Sequence, residues 1–233
     1  ELCIEFTNNQ TMNEVGEVDP GGNKKAGISI DGIAEANLRM TASIFEMLAD
    51  KGVCTHMISY EYGDDIFPSM NVRRVELFKP GLEWIGRWIC TGSFLRRYKS
   101  ISGLEDGVRI TEEKTQNSHS AIDSPIIEIT IKDDEAGDPL IYPDFLVHFG
   151  VIKTKQLLSN LIFNTKYVME HLHHIFEEKN LDLWDAKIEW GIDSSSKVEI
   201  MLIDEISSAS VRAYDKETNI QIKGIDLAKR FFE

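Results

Sequence analysis

The chain has 233 residues, 27% of them charged and 42% apolar, with a formal net charge of −14. That is enough material for a real core in one large or two small domains. An acidic surface repels polyphosphate backbones, which argues against nucleic acid as a partner and leaves any bound anion to a local basic pocket.

No apolar run is long enough to span a bilayer, and no charged-then-apolar start resembles a signal peptide. Cys3, Cys54 and Cys90 are scattered and odd in number, which fits free thiols in a reducing, cytoplasmic setting. Glu1 to Phe6 reads as a short strand entered abruptly, with Leu2, Ile4 and Phe6 apolar. Thr7 to Gly27, with Pro20-Gly21-Gly22, reads as a long loop. Asp31 is placed as the N-cap of a helix whose stripe is Ile33, Ala36, Met40, Ile44, Met47 and Leu48, ending at Gly52. Strands are expected over Thr55 to Tyr60 and Met70 to Phe78, with a turn at Asp64-Asp65 and a break at Lys79-Pro80-Gly81. Glu83 to Cys90 is ambiguous, a strand being one reading, and Gly92-Ser93 opens a short helix carrying Arg96 and Arg97.

Ile101 to Asp123 is polar and loop-like. Ile127, Ile129 and Ile131 alternate in a strand, followed by an acidic turn from Lys132 to Pro139. The longest helix runs from Lys155 to Asn180, with Leu158, Leu161, Ile162, Thr165, Val168, Leu172, Ile175 and Phe176 on its apolar face. Next, Trp184, Ala186, Ile188 and Trp190 alternate with Asp185, Lys187 and Glu189, so the charged residues share one strand face. A turn over 192–197 leads to a second apolar strand, Val198 to Ile203, which runs into Asp204-Glu205. A hairpin centred on Ser194 puts Asp204 opposite Trp184, about five residues or roughly 16 Å from Glu189. On that register the two carboxylates cannot share an ion; a bulge, another register or separate ions are the alternatives. A short amphipathic helix closes the chain. Strands outnumber helices in mixed order, which argues α+β.

Several motifs are absent: a Walker-type glycine loop, a dinucleotide fingerprint and Gly-x-Ser-x-Gly. His171, His173 and His174 on the long helix read as a solvated face rather than a metal site, and His56 and His148 are isolated. Three clusters remain. Gly92-Ser93 with Arg87 could grip a phosphate, although surface arginines beside a turn explain them equally well. The acidic turn ending in Gly137-Asp138-Pro139 is, alone, an ordinary loop. Asp185, Lys187 and Glu189 with Asp204 could hold Mg²⁺, or could be the charged outside of a surface hairpin.

Together these clusters resemble the SAICAR synthetase family over nearly the whole chain. The residues that carry the resemblance are Glu83, Arg87 and Thr91-Gly92-Ser93, then Lys132-Asp133-Asp134-Glu135-Ala136-Gly137-Asp138-Pro139-Leu140. They continue with Asp185, Lys187 and Glu189-Trp190-Gly191, then Asp204-Glu205-Ile206-Ser207 and Arg212. The resemblance implies a two-lobed, ATP-grasp-like α+β fold of antiparallel sheets and flanking helices with ATP in the cleft. The smaller ATP-binding lobe would be 1–76 and the larger lobe 77–233.

It also implies a cytoplasmic, Mg-ATP-dependent ligase of purine biosynthesis, with small-molecule substrates and self-association into an oligomer. The ligase would join the carboxylate of carboxyaminoimidazole ribotide to L-aspartate through an acyl phosphate. Carried over by position, Glu189 and Asp204 would hold Mg²⁺, and Arg87, Ser93 and Arg212 would grip the ribotide phosphate. Asp138 would sit by the aminoimidazole, Lys187 with Asp185 by the reacting carboxylate, and Glu76, Leu77 and Lys187 by ATP. The strand 72–77 would be the hinge.

Three departures stand out. The family's Gly-Lys-x-Lys hairpin is not among these residues and is expected before Glu1. Ala209 replaces the Asp of Ser-Pro-Asp, which leaves open a different amine, or a relative that binds without catalysing. Trp88 stands where the family has Asn or Arg.

Overall fold

The computed structural model describes residues 1–12, 24–98, 100–101, 124–133, 135–195 and 199–233. The expected loop segments 13–23 and 102–123, Asp134 and the turn residues 196–198 lie outside the described residues. The described chain is α+β with antiparallel sheets and flanking helices, as the element order implied.

β1 (Leu2–Glu5), β5 (Ile66–Val72) and β4 (Met57–Gly63) form a three-stranded sheet in the order β1-β5-β4. The stretch expected to be one loop instead contains a hairpin, β2 (Asn9–Met12) with β3 (Lys24–Ser29). α1 (Ile33–Ala49) buries the expected stripe. Its N-terminus is not capped by Asp31. The cap position is Gly32, at φ 79°, with no side-chain cap of its own. The orphan amide of Ala34 donates instead to Asn8 Oδ1 at 3.0 Å, so a residue of the preceding segment satisfies it. Gly52, at φ 81°, closes the turn after the helix.

The expected single strand Met70 to Phe78 is two strands in different sheets. β5 stops at Val72, and β6 (Val75–Leu77) pairs with the large sheet. The ambiguous stretch resolves into β7 (Leu82–Arg87), followed by α2 (Gly92–Tyr98) and β8 (Ile126–Ile131). After α3 (Pro143–His148) and α4 (Lys155–Glu178) comes β9 (Leu181–Asp193), the longest strand. β9 then meets β10 (Ile200–Ile203) and β11 (Val211–Asp215); β12 (Gln221–Ile222) and α5 (Gly224–Lys229) end the chain.

β9 organises the large sheet. Its first half lies between β7 and β11, and its second half between β6 and β10, in a sheet whose main order is β12-β11-β9-β7-β8. On one face α4 covers it with Leu161, Val168, Met169 and Leu172, and Trp190 Nε1 donates to the buried Thr165 Oγ1 at 2.9 Å. Burial of that apolar face is the main stabilising term here. α1 packs against α4 and α5, with the α5 end held by the Ser43 Oγ bond to the Phe231 carbonyl at 3.0 Å. No described helix is long and apolar enough to cross a membrane.

The register of the β9–β10 hairpin differs from the expected one. Ile203 pairs with Glu189 and Leu202 with Trp190, four residues along β9 from the pairing a hairpin centred on Ser194 would give. The side chain of Asp193 accepts from Ser195 N at 2.9 Å, and its amide donates to the Glu199 carbonyl at 2.9 Å. Asp204, the residue after Ile203, therefore falls beside Glu189.

The crossing of β6 over β9 depends on Gly191. A Cβ there would lie 2.8 Å from Val75 Cγ2 and 2.9 Å from Val75 Cβ. The Val75 Cβ is fixed to the backbone and cannot swing away. Gly191→Ala is expected to destabilise the fold by about 1–3 kcal/mol through overpacking. Urea denaturation measures this, and an unchanged midpoint would show that β6 yields freely.

Candidate functional site

The face of β9 away from α4 carries Asp185, Lys187 and Glu189, as alternation requires. It is not a solvated outer surface: Asp185 is 3% and Glu189 8% exposed. Strand pairing places residues in rows across it. Asp185 pairs with Arg87 of β7 on one side and with Arg212 of β11 on the other, and Lys187 pairs with Ile85.

At the Asp185 end, Arg87 is 2% exposed and makes three bonds. Its Nη1 donates to Asp185 Oδ2 at 2.6 Å, its Nε to Glu128 Oε2 at 2.6 Å and its Nη2 to Ser93 Oγ at 2.9 Å. Arg212 Nη1 reaches the same Asp185 oxygen at 2.7 Å, and Arg97 Nη2 reaches Glu128 Oε1 at 2.5 Å. Gly92, at φ 55°, lets Arg212 in: a Cβ there would stand 3.3 Å from three guanidinium atoms. Among the described residues, three guanidiniums meet two carboxylates at this end of the face. Guanidiniums beside a serine hydroxyl at a helix start suit a phosphate.

At the Glu189 end the balance reverses. Lys187 Nζ donates to Glu83 Oε1 at 2.8 Å, and Thr130 Oγ1 holds the other Glu83 oxygen at 3.2 Å. Lys132 Nζ, from the acidic turn, reaches Glu189 Oε1 at 2.7 Å. Burial works against the Lys187 ammonium, but Glu83, Asp204 and Glu189 outweigh it and raise its pKa, so it stays charged. Burial and the Asp204 carboxylate push the Glu189 carboxyl up, against the pull of Lys132. Asp204 sits at φ 65°, an uncommon backbone for a non-glycine residue. Its carbonyl meets His56 Nε2 at 3.2 Å, and burial lowers the His56 pKa.

Glu205 follows. Its Oε2 is buried and has no hydrogen-bond partner. Burial, then the Asp204 charge, raises its carboxyl to about 7. Among the described residues, Glu83, Glu189, Asp204 and Glu205 thus face two ammoniums, Lys187 and Lys132. A buried oxygen without a partner amid surplus carboxylates is the donor set of a hard divalent cation such as Mg²⁺.

The structure brings Arg87, Ser93, Asp185 and Arg212 together, and Lys187, Glu189 and Asp204 together next to them. Asp138 is used within its own turn, where its Oδ1 accepts from Asp133 N at 2.9 Å. Glu76 and Leu77 are exposed on β6, paired with Ile192 and Gly191 just beyond Glu189. Sequence reasoning gave no role to Glu128, Arg97, Lys132 or Glu205. Glu128 was within reach, since it alternates with Ile127 and Ile129 and so had to face the side opposite the core.

A family model described as SAICAR synthetase matches residues 21–233. A phosphoribosylaminoimidazole-succinocarboxamide synthase from Finegoldia magna is 38% identical over 198 residues, covering 85% of this chain and 74% of its own length. A SAICAR synthetase structure from Pyrococcus horikoshii OT3 gives a TM-score of 0.73 at 25% identity, covering 95% of this chain and 82% of that one. A SAICAR synthetase solved in complex with ADP gives a TM-score of 0.76 at 24% identity over 99% of this chain and 90% of that one, a likeness of fold.

Two consequences are measurable. Arg87→Ala leaves Asp185 and Glu128 buried beside a void, and is expected to cost about 3–5 kcal/mol in urea denaturation. A loss below about 1 kcal/mol would show that Arg97 and Arg212 suffice. The second concerns pH. The folded-state value for Glu205, about 7, lies above the ordinary 4.5. Its protonated form therefore favours the folded state: that contribution is complete below pH 4.5 and lost as pH rises through 7. In the presence of a chelator, Glu205→Gln is expected to remove this fall, gaining about 3 kcal/mol on the parent near pH ~8. Parallel stability–pH curves for the two proteins would refute it.

Proposed function

The chain belongs to the SAICAR synthetase family, and on that premise we propose that it joins the carboxylate of carboxyaminoimidazole ribotide to the amine of L-aspartate. It is an ATP-dependent ligase of purine biosynthesis. The observation that carries the residue-level reading is the electrostatic split of one strand face, guanidinium-rich at Asp185 and carboxylate-rich at Glu189. Four residues of strand separate these ends by about 13 Å, the reach of a mononucleotide.

The chemistry is balanced in two steps. An oxygen of the ribotide carboxylate attacks the γ-phosphorus of ATP, ADP leaves, and an acyl phosphate forms. The aspartate amine then attacks the acyl carbon, phosphate leaves, and the nitrogen gives up its proton. Such transfers depend mainly on positioning and charge neutralisation.

Arg87, Ser93 and Arg212 bind the ribotide phosphate. Asp185 holds both guanidiniums in place; Glu128 shares Arg87 with it and ties in Arg97. Lys187, kept cationic by Glu83, sits where the reacting carboxylate gains charge. Glu189 and Asp204 would hold Mg²⁺, with the unpaired Glu205 oxygen in the same group. The ion neutralises phosphate charge when bound. Asp138 lies toward the aminoimidazole, on the turn that also sends Lys132 to Glu189. The relative solved with ADP supports nucleotide binding in this fold. We place the adenine against the exposed β6 edge at Glu76 and Leu77. We place the boundary between the lobes 1–76 and 77–233 within β6, four residues after the chain leaves the small sheet at Val72.

A coupled ADP-release assay with the ribotide and each amino acid tests the reaction. Turnover is expected with aspartate; turnover only with another amine would sink that assignment. Glu189→Gln and Asp204→Asn should each lower turnover by at least about 100-fold while leaving ribotide affinity within about threefold. Normal turnover in both variants would remove these carboxylates from the mechanism.

A further inference from the structure

The imidazoles that the sequence suggested were a solvated helix face are not dispersed. His173, His174 and Glu177 of α4 bring their ligand atoms within 4.8 Å of one another. His173 Nδ1 lies 3.7 Å and His174 Nδ1 3.6 Å from the same oxygen, Glu177 Oε2. Ligand atoms around a tetrahedral ion with bonds of about 2.0–2.1 Å are spaced about 3.3 Å apart, so these spacings need to close by only a few tenths of an ångström. Those are the two imidazole–carboxylate spacings; the whole set lies within 4.8 Å, and turning the exposed His174 ring closes the rest.

Two of the three groups are already oriented by neighbours. Lys216 Nζ takes the other oxygen of the carboxylate, Glu177 Oε1, at 2.8 Å, which turns Oε2 toward the rings. The His173 ring rests against the buried indole of Trp88, centroids 5.3 Å apart. Outer contacts of this kind fix ligand orientation at metal sites. His174 is 70% exposed in its side chain and open to an ion from solvent. This site is separate from the carboxylate end of β9, and its donors differ in kind: two imidazoles and one carboxylate suit a borderline transition-metal dication, where an all-oxygen set suits Mg²⁺.

We propose that His173, His174 and Glu177 form a binding site for one transition-metal dication of the Zn²⁺ class, with three protein ligands and solvent completing the coordination. Trp88 directly follows Arg87, and its amide bonds the Trp184 carbonyl at 2.9 Å, next to Asp185. The ion would therefore sit one aromatic contact behind the guanidinium end of the site, and Trp88 offers an optical readout.

The test is calorimetric titration of the intact chain with Zn²⁺ in saturating Mg²⁺, which keeps the β9 carboxylates occupied. One Zn²⁺ per chain is expected, accompanied by a change in tryptophan emission. His174→Ala and Glu177→Gln should each weaken binding by about tenfold or more, and His173→Ala should also abolish the emission change. Glu189→Gln should leave Zn²⁺ binding as in the parent. Both altered residues at 174 and 177 lie on the helix surface, so their variants keep the fold, which circular dichroism verifies. Absence of Zn²⁺ binding overturns the proposal. So does binding that persists unchanged in both variants, as attachment to the exposed Cys3 thiol would give.

Discussion

The buried guanidinium of Arg87 is the interaction on which the site depends. A charge at 2% exposure is stable in a sheet only if its neighbours neutralise it and take its donors. Asp185, Glu128 and Ser93 do so from β9, β8 and the start of α2. Those partners belong to three separate segments, so the ion pair fixes how the segments meet. Such a pair contributes little net stability compared with an apolar filling of equal volume. What it supplies is geometry: the arginine can be there only if the strands are in this register.

That register explains which parts of the molecule were legible in the sequence. Alternation along Trp184 to Trp190 correctly grouped Asp185, Lys187 and Glu189, because side-chain direction in a strand is a local property. The partner of that face was not local. Whether the charged side met water or other charges depended on β7, β8 and β11, and those pairings are set by the whole sheet. The position of Asp204 was left open for a related reason. Hairpin register follows loop length, and the bond from the Asp193 amide to the Glu199 carbonyl that sets the last observed pair is not a local sequence signal. Of the registers left open, the Ser194-centred one is four residues from the observed pairing and would have separated two carboxylates that the structure sets side by side.

Other misses share the same cause. Asp31 has the right chemistry for a helix cap, but Asn8 supplies the bond from outside the local sequence. Met70 to Phe78 has continuous strand propensity, yet the chain changes sheets within it because Gly191 offers Val75 a close seat. The motif residues themselves were legible, since their chemistry is tied to type and spacing. Of their supports, Glu128 could be placed on the charged side by its alternation with Ile127 and Ile129, but that it meets Arg87, and that Lys132 meets Glu189, depended on strand pairings no local pattern shows.

The contacts of His56 link the small sheet to the charged face of β9. Its amide bonds the Leu202 carbonyl at 3.0 Å, its carbonyl accepts from Arg73 N at 2.7 Å, and its ring meets the Asp204 carbonyl. One buried residue thus touches the strand before Asp204, the backbone of Asp204 itself and the link where the chain passes from β5 to β6. Asp204 is held in an uncommon backbone conformation, and such a conformation persists only where surrounding contacts over-determine it. His56 is one of those contacts, and it belongs to the segment leading into the small sheet. Displacing that sheet relative to β9 must therefore either break the His56 bonds or carry the Asp204 backbone with it. The carboxylate-rich end of the face is in this way mechanically joined to the small sheet, whereas the described bonds of the guanidinium end run to β7, β8, β11 and the start of α2.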